Sequence, residues 1–391
     1  MSQINIGLIG FGVVGSGFYE ILIKENSNCL YNIKRIAVKN IQKERIAPHA
    51  LFTDNALELV CDPTIHIVIE LIDDAQEAYL LVKEALLNKK HVVSANKKML
   101  SDHIEELSEL AKIQGCSLLY EAAVAGSIPI IRNLENYYAG GFFSQILGIV
   151  NGSTNYILSE MQNKQLDYTT ALKQAQDLGF AESDPSLDVS GADAQSKLKI
   201  LVYHAFGSLI GKEDIPTIGI EQISRQDLLF AKEQKLVIKL LASCKYNDQT
   251  KLSELSVLPT FLPYEHKLAQ INGASNGILV GHEDIGYQLF EGAGAGALAT
   301  GSAVFTDLKA ISSQYAYRFE SPLKVYEVQK QPLFWYLRAP FSAIEKIEDV
   351  RFLEQFDTNS TEYKGLISCT ADKAQLLAGR NGHTLIRFLG S

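Results

Sequence analysis

A strand that runs directly into a glycine-rich turn and a helix restricts the fold of this chain more than any other feature. Residues 4–9 are apolar, residues 18–22 have helical apolar spacing, and between them lie Gly10, Phe11, Gly12, Val13, Val14 and Gly15. In this G-x-G-x-x-G pattern the three glycines allow a tight turn, close approach of a pyrophosphate to the backbone, and close helix–strand packing. Free N–H groups at the start of the helix bind phosphate. We therefore predict a dinucleotide site, with a merely tight strand–helix turn as the alternative.

Apolar strands alternate with helical stretches through the N-terminal part of the chain. Strands are predicted at 33–38, 65–71, 91–94 and 117–120. This alternation indicates an α/β fold with a Rossmann-type parallel sheet and right-handed crossovers. Ligands of such sheets bind beyond the carboxyl ends of the strands. Ser94 and Lys97 are therefore candidate ligand contacts, whereas strand alternation would turn Lys98 away.

The second predicted strand ends in Lys39 and Asn40, not in an acidic residue. An Asp or Glu at this place accepts the ribose hydroxyls of NAD, whereas cations suit the 2′-phosphate of NADP. Lys39, with Lys43 and Arg45 beyond it, therefore favours NADP(H), although NAD(H) remains open. An ordinary basic loop is the alternative.

Composition excludes several classes of protein. The chain has 391 residues, 47% of them hydrophobic, and a net charge of −9, which argues against nucleic acid or an anionic membrane as the partner. Because the N-terminus reads as a strand, we expect no signal peptide, and no apolar run is long enough to cross a membrane. The five cysteines are dispersed without metal spacing, as expected for reduced thiols in a cytoplasmic enzyme.

An acid-rich segment, residues 180–201, leads into a predicted helix that begins at Ala192. Asp193 and Lys197 are four residues apart, so they lie on one helix face. The simplest interpretation is an acidic helix start with an ion pair on a solvated helix. A functional interpretation needs support from the rest of the chain.

Several long motifs supply that support: S-A-N-K at Ser94–Lys97, E-A-A-V-A-G-S-I-P-I at Glu121–Ile130, N-G-S-T-N-Y-I-L at Asn151–Leu158, G-F-A-E-S-D-P-S-L-D-V-S-G-A-D-A-Q-S-K-L-K-I-L from Gly179, and G-A-G-A-G-A at Gly292–Ala297. With these motifs in this order, about residues 4 to 310 of the chain resemble homoserine dehydrogenase. The resemblance implies NAD(P)-dependent interconversion of L-homoserine and L-aspartate 4-semialdehyde. In cells this reaction feeds threonine, methionine and isoleucine biosynthesis.

The resemblance also implies roles for individual residues. Lys197 would be the catalytic acid/base with Asp193 as its partner, Glu182 would bind the substrate amine with Asp188 nearby, and Lys97 would contact cofactor and substrate. A monovalent cation, sodium, would be held by Glu121 and the carbonyls of Val124, Gly126 and Ile128, while Gly296 would lie near the cofactor. The chemistry of the substrate adds Ser153 as a donor to its carboxylate. Homodimers or homotetramers are expected.

Two features of the sequence do not fit these roles simply. The charge of Asp193 favours protonated Lys197, which opposes its use as a base. Either desolvation prevails in the closed site, or the charged lysine donates a proton to the aldehyde oxygen during reduction; the second role is the simpler. In addition, Asp73 and Asp74 stand where the family commonly has two glycines, so that loop is expected to contact ribose or nicotinamide, or to turn outward.

The domain organisation follows from the same reading. We predict a dinucleotide-binding domain at 1–130, completed by about 300–320, and an α+β substrate-binding and dimerisation domain at 131–299. Residues 321–391 form a small α/β appendage, which is either a degenerate ACT-like regulatory domain or a stabilising element. Competing functions are another dehydrogenase of this layout and a nucleotide sensor without catalysis.

Overall fold

The computed structural model describes most of the chain. The described residues are 3–26, 29–138, 143–207, 209–247, 251–317, 331–344, 347–356, 362–380 and 382–389, with only the backbone described at 247 and 251–253. Residues 321–330, at the start of the predicted appendage, lie outside this set.

Fifteen strands are present in the described part of the chain. They are β1 (Ile4–Ile9), β2 (Tyr31–Ala37), β3 (Phe52–Thr53), β4 (Ile67–Glu70), β5 (His91–Ser94), β6 (Leu118–Leu119), β7 (Phe143–Ile149), β8 (Leu236–Asn247), β9 (Lys251–Pro263), β10 (Ser275–His282), β11 (Gly286–Ala293), β12 (Leu333–Pro340), β13 (Arg351–Gln355), β14 (Glu362–Cys369) and β15 (Thr384–Phe388).

Thirteen α-helices accompany the strands in the same described residues. They are α1 (Val13–Glu25), α2 (Ala56–Cys61), α3 (Ala75–Leu87), α4 (Lys97–Gln114), α5 (Ile130–Arg132), α6 (Gly152–Lys164), α7 (Tyr168–Asp177), α8 (Ser186–Val189), α9 (Ala192–Phe206), α10 (Arg225–Glu233), α11 (Ala297–Ser312), α12 (Phe341–Ile344) and α13 (Ala371–Ala378). None of the described helices is long and apolar enough to cross a membrane.

The chain divides into two compact units. The first comprises Met1–Gly140, Tyr203–Gly207 and Gly292–Leu323, and the second comprises Gly141–Val202, Ser208–Glu291 and Lys324–Ser391. The domain boundaries at 130, 299 and 321 stay predictions, because the division into compact units does not show which parts of the chain fold independently.

The first unit contains a parallel six-stranded sheet in the order β3-β2-β1-β4-β5-β6. This is the strand order of a dinucleotide-binding fold, so the predicted α/β class is confirmed. All four residues of β4 are buried, as expected for a parallel strand covered on both faces. The carboxyl ends of β1, β4 and β5 therefore form one edge of the sheet, where the candidate cofactor residues lie.

Helix α11 packs directly on α1. A β-carbon added at Gly17 would lie 2.0 Å from the carbonyl oxygen of Ala297, and one added at Gly301 would lie 2.6 Å from the amide nitrogen of Phe18. Only glycines allow the two backbones to approach so closely. Helix α11 is therefore an integral part of the first unit.

The second unit contains a mixed nine-stranded sheet, in the order β11-β10-β7-β8-β9-β15-β12-β14-β13. Its centre is the antiparallel pair β8 and β9. Residues 255–262 of β9 and 276–281 of β10 are buried. Strand β7 pairs with β8 and β10 and ends at Ile149, two residues before Asn151, the first residue of the N-G-S-T motif.

The C-terminal segment continues this sheet. Its elements follow the order β12-α12-β13-β14-α13-β15, the ferredoxin-like arrangement of a small α/β unit. Strand β15 pairs in parallel with β9 through Arg387 and Phe388. The Arg387 side chain, buried and ion-paired with Glu254 at 2.5 Å, fastens the segment to the central strands.

Candidate functional site

The glycine turn has the geometry that its sequence predicts. Gly10 has φ +93°, and a β-carbon there would lie 2.5 Å from the carbonyl oxygen of Leu71. A β-carbon at Gly15 would lie 2.5 Å from the carbonyl oxygen of Gly10, whereas one at Gly12 would have no atom within 4 Å. Packing therefore requires the first and third glycines. The second, which precedes α1, leaves the backbone open to a ligand.

The other three residues of this turn are a packed aromatic and two valines. Phe11 packs edge-to-face against Tyr19 and Phe52, with ring centroids 5.5 Å apart in both pairs. Val13 is 68% exposed, and Val14 is half-buried. Phe11 anchors the turn, and the valines leave the start of α1 accessible.

The loop after β2 carries positive charge. Lys39 is exposed and lies 3.5 Å from a carboxylate oxygen of Glu77. The Arg45 guanidinium stacks over the Phe52 ring at 5.0 Å and donates to the carbonyl oxygens of Asn40 and Lys43, both at 2.8 Å. Arg45 thus fixes the loop, while the Lys39 ammonium projects into solvent, where a phosphate can reach it.

The ends of β4 and β5 are joined by a buried hydrogen-bond network. The Ser94 hydroxyl donates to Glu70 Oε2 at 2.5 Å, and Glu70 Oε1 accepts from the Ile72 amide at 2.8 Å. The Asn96 backbone amide donates to Ser94 Oγ at 3.1 Å, and the Asn96 side chain donates to the Ile72 carbonyl at 3.0 Å. Burial raises the pKa of Glu70 to about 7. This network fixes the loop that leads to Lys97.

Lys97 is the first residue of α4, and Asn96 is its N-cap, accepting from the Met99 amide at 2.9 Å. Lys97 is half-buried and Lys98 is exposed, so the two lysines do differ as expected. Strand alternation, which we expected to turn Lys98 away, is the wrong explanation, because both lysines lie in helix α4.

The residues implied as a cation site lie in one loop of the first unit. The Glu121 carboxylate accepts from the backbone amides of Ile131 and Arg132 at 2.7 and 2.9 Å. The Glu121 amide donates to Asp307, which also binds the Arg132 guanidinium at 2.5 Å. Burial and the nearby Asp307 raise the pKa of Glu121 to about 8. Each carboxylate oxygen retains a lone pair for a further ligand.

The carbonyls proposed to share this cation follow directly. Ala125 and Gly126 both have left-handed φ angles, +56° and +55°, so the chain turns tightly between Val124 and Ile128. The Ile128 carbonyl already accepts from the Ile130 amide at 2.8 Å. In the described residues no three His, Cys, Asp or Glu side chains converge as a metal site, so a cation here would depend on carbonyl oxygens.

Gly296 opens α11, with φ +124° and its carbonyl accepting from the Thr300 amide at 3.0 Å. A side chain at this φ would be strained, so the position requires glycine.

The centre of the second unit's candidate site is a buried ion pair. Lys197 Nζ lies 2.7 Å from Asp193 Oδ2, and their side chains are 10% and 5% exposed. The same ammonium donates to the Val150 carbonyl at 2.7 Å. These contacts use two of its three N–H bonds, leaving the third for a ligand oxygen. The alternative of a solvated helix is wrong, because both side chains are buried.

Asn151 links this pair to another candidate. Its side-chain amide donates to Asp193 Oδ2 at 2.9 Å and to Asp188 Oδ1 at 2.6 Å. Its Oδ1 accepts from the Thr154 amide at 2.8 Å, which makes Asn151 the N-cap of α6. One side chain thus fixes both carboxylates and the start of a helix.

The two remaining substrate candidates are more exposed. Ser153 donates its hydroxyl to the Phe180 carbonyl at 2.6 Å, so its oxygen, not its proton, is available to a ligand. Glu182 is exposed, and its backbone carbonyl accepts from the Gln176 side chain at 3.1 Å. The structure therefore brings Asp188, Asp193 and Lys197 together, with Ser153 and Glu182 on adjoining segments.

Three residues with central contacts were not assigned these roles from the sequence. Asn151 appeared only as the first residue of a family motif, although Asn immediately before a helical stretch is an N-cap signal. Glu70 looked like the end of an apolar strand, and nothing marked Asp307 within α11. Asp74, in the loop expected either to contact ribose or nicotinamide or to turn outward, is the N-cap of α3 and accepts from the Glu77 amide at 2.9 Å.

Glu70 gives a prediction about pH and stability. Its folded-state pKa of about 7 lies above the ordinary 4.5, so the folded protein binds more protons than the unfolded chain between these values. The free energy of unfolding should therefore fall by up to about 3 kcal/mol as pH rises from 4.5 to 7. Glu70→Gln should remove this contribution. Urea unfolding at pH 5 and 7.5 measures it, with the exposed Glu58→Gln as control; identical pH dependence in Glu70→Gln and wild type would contradict the assignment.

Known proteins with similar sequences identify the family of this chain. Family models described as "Homoserine dehydrogenase, NAD binding domain" and "Homoserine dehydrogenase" match residues 10–121 and 129–308. The homoserine dehydrogenase of Bacillus subtilis is 36% identical over 351 residues, covering 84% of this chain and 81% of its own length.

Solved structures of homoserine dehydrogenases are also similar to this chain. A homoserine dehydrogenase from Thiobacillus denitrificans has a TM-score of 0.86 at 31% identity, covering 99% of this chain and 98% of that one. A hyperthermophilic archaeal homoserine dehydrogenase mutant in complex with NADPH has a TM-score of 0.70 at 25% identity, covering 81% of this chain and 99% of that one. From the glycine turn to the buried ion pair, and over most of its length, the chain belongs to the homoserine dehydrogenase family.

Proposed function

We propose that this protein interconverts L-homoserine and L-aspartate 4-semialdehyde with NADP(H) as the preferred cofactor and NAD(H) as a possible one. The reaction would supply threonine, methionine and isoleucine biosynthesis. The observation that carries the proposal is the Lys197 ammonium, held by Asp193 and Val150 with one N–H bond left for a substrate oxygen.

Lys197 would act as the proton donor during reduction. Two acceptors hold its ammonium at 2.7 Å, and a charged donor at the carbonyl oxygen stabilises negative charge that develops there. In the oxidative direction the same group would receive the alcohol proton. The chemistry that a bound nicotinamide would supply is hydride transfer.

Asp188, Glu182 and Ser153 would recognise the amino-acid end of the substrate. The substrate ammonium needs carboxylates, and Asp188 is oriented by Asn151 while Glu182 is exposed to a ligand. The Ser153 hydroxyl, turned toward Phe180, would accept a hydrogen bond from the ammonium; the predicted donation to the substrate carboxylate would require it to rotate. Lys97 would contact both substrate and cofactor.

The cofactor would bind along the carboxyl edge of the parallel sheet. Its pyrophosphate would lie on the open backbone at Gly12 and the start of α1, and its 2′-phosphate would meet Lys39. Ser94 and Gly296 would line the same site. The NADPH in the archaeal relative supports this choice of cofactor.

A sodium ion would be bound by Glu121 and the carbonyls of Val124, Gly126 and Ile128. These residues fit such an ion, because oxygen ligands suit hard cations and the tight turn keeps the carbonyls in one short loop with the carboxylate.

We also propose that the protein assembles as a homodimer or homotetramer. Strand β11 supports this proposal, because it forms one edge of the nine-stranded sheet of described strands and can accept a further strand.

Removing the Lys197 ammonium tests the function directly. Lys197→Ala should lower kcat for NADPH-dependent reduction of aspartate 4-semialdehyde by more than ~100-fold, because the oxygen loses its proton donor. The NADPH dissociation constant, measured by fluorescence titration, should stay within about twofold. Lys199→Ala, on the same helix but another face, is the control. Near-normal turnover of Lys197→Ala would remove the lysine from the mechanism.

Cofactor preference depends on Lys39. Lys39→Ala should weaken NADPH binding by roughly three- to tenfold and leave NADH binding unchanged, because only NADPH carries the 2′-phosphate. Titration of both cofactors measures the ratio, with the exposed Lys98→Ala as control. An equal effect on both cofactors, or none on NADPH, would assign the 2′-phosphate elsewhere.

A further inference from the structure

Residues 215–220, which we call the strap, cross the segment that joins Asp188 to Asp193. The Ile220 amide donates to the Val189 carbonyl at 2.9 Å. Gly191 has φ +85°, and a β-carbon there would lie 2.9 Å from the Thr217 methyl group. The strap therefore packs without a gap against the short connection between the two carboxylates.

The strap also holds α9 directly. The side-chain nitrogen of Gln195 lies 2.9 Å from the Ile215 carbonyl and 3.0 Å from Thr217 Oγ1. Gln195 is two residues from both Asp193 and Lys197, so it projects from the opposite side of the helix. One side of α9 is thus fixed by Val150 and Asn151, and the other by the strap.

On its far side the strap is held by the C-terminal segment, residues 333–389. The Ile218 side chain is buried in a core cluster with Trp335 and Leu337. The Thr217 amide donates to Gln375 Oε1 on α13 at 3.2 Å.

Just beyond the strap the same segment makes further contacts. The Gln222 carbonyl accepts from the Thr384 hydroxyl at 2.9 Å and from the Arg338 guanidinium at 3.2 Å. Arg338 is also ion-paired with the fully buried Asp227 at 2.9 Å. The C-terminal segment and the strap therefore form one continuous packed and hydrogen-bonded layer.

We propose that the C-terminal segment acts through the strap as a positioning element for Asp193 and Lys197, with Thr217 and Gln375 as its positioning residues. This inference rests on the proposed role of Lys197. Catalytic groups must be held to within about 0.5 Å of their productive positions, and a short helix turn achieves this only when its supporting contacts are fixed. The segment thus contributes to the reaction without contacting substrate.

Paired substitutions in the full-length chain test this role. Thr217→Val keeps the shape of the side chain but removes the hydroxyl, and should lower kcat about five- to tenfold; Thr217→Ser keeps the hydroxyl and should stay within about twofold of wild type. Likewise Gln375→Leu should lower kcat about two- to threefold, whereas Gln375→Glu retains the acceptor and should not. Leu376→Ala, at a 71% exposed position on α13, is the control. The NADPH dissociation constant should be unchanged throughout.

A Lys197→Ala background separates positioning from general stability. Because Thr217 acts through the lysine, Thr217→Val should have no further effect on the residual turnover of Lys197→Ala. Equal kcat for Thr217→Val and Thr217→Ser, or a loss explained entirely by less folded protein in thermal melts, would overturn the inference. Near-normal turnover of Lys197→Ala would instead overturn the proposed function.

Discussion

The ion pair between Lys197 and Asp193 is the interaction on which the second unit's candidate site depends. Removing two charges from water is unfavourable unless their remaining hydrogen-bonding groups are satisfied. Here the Val150 carbonyl and the Asn151 amide supply the additional partners. The pair is therefore stable only while the end of β7, the start of α6 and the first turn of α9 keep their relative positions.

The architecture around the pair provides that constraint. Strand β7 is held between β8 and β10, which fixes Val150 as the chain leaves the sheet. The loop before β10 reaches the other end of this junction, since a β-carbon at Gly152 would lie 2.6 Å from the Ala274 carbonyl oxygen. Sheet pairing and close backbone packing thus determine the geometry of a charged site that local helix contacts alone would leave free to move.

Local patterns in the sequence accounted for much of the fold and part of the site. The glycine turn and the spacing of Asp193 and Lys197 involve neighbours within one or two turns, so their geometry follows from helix and strand periodicity. The contact of Asn151 with Asp193 spans 42 residues, and that of Asp307 with the Glu121 amide spans 186. Such pairings depend on how distant elements pack, which periodicity does not encode.

The C-terminal segment shows the same limit of local patterns. Its α/β class was predicted from the sequence, but the parallel pairing of β15 with β9 and the contact of Gln375 with the strap were not. Parallel pairing joins strands that are far apart in sequence, so there is no hairpin turn from which the pairing could be predicted. These contacts join the segment to the central sheet and to the strap.

The central claim is that Asp193 and Lys197 work as one unit. A double-mutant cycle on kcat for aspartate 4-semialdehyde reduction, comparing Asp193→Asn, Lys197→Ala and the double variant, tests it most directly. If the pair is a unit, the double variant will be no slower than the slower single variant. If the two losses multiply, the residues act independently and the account is contradicted.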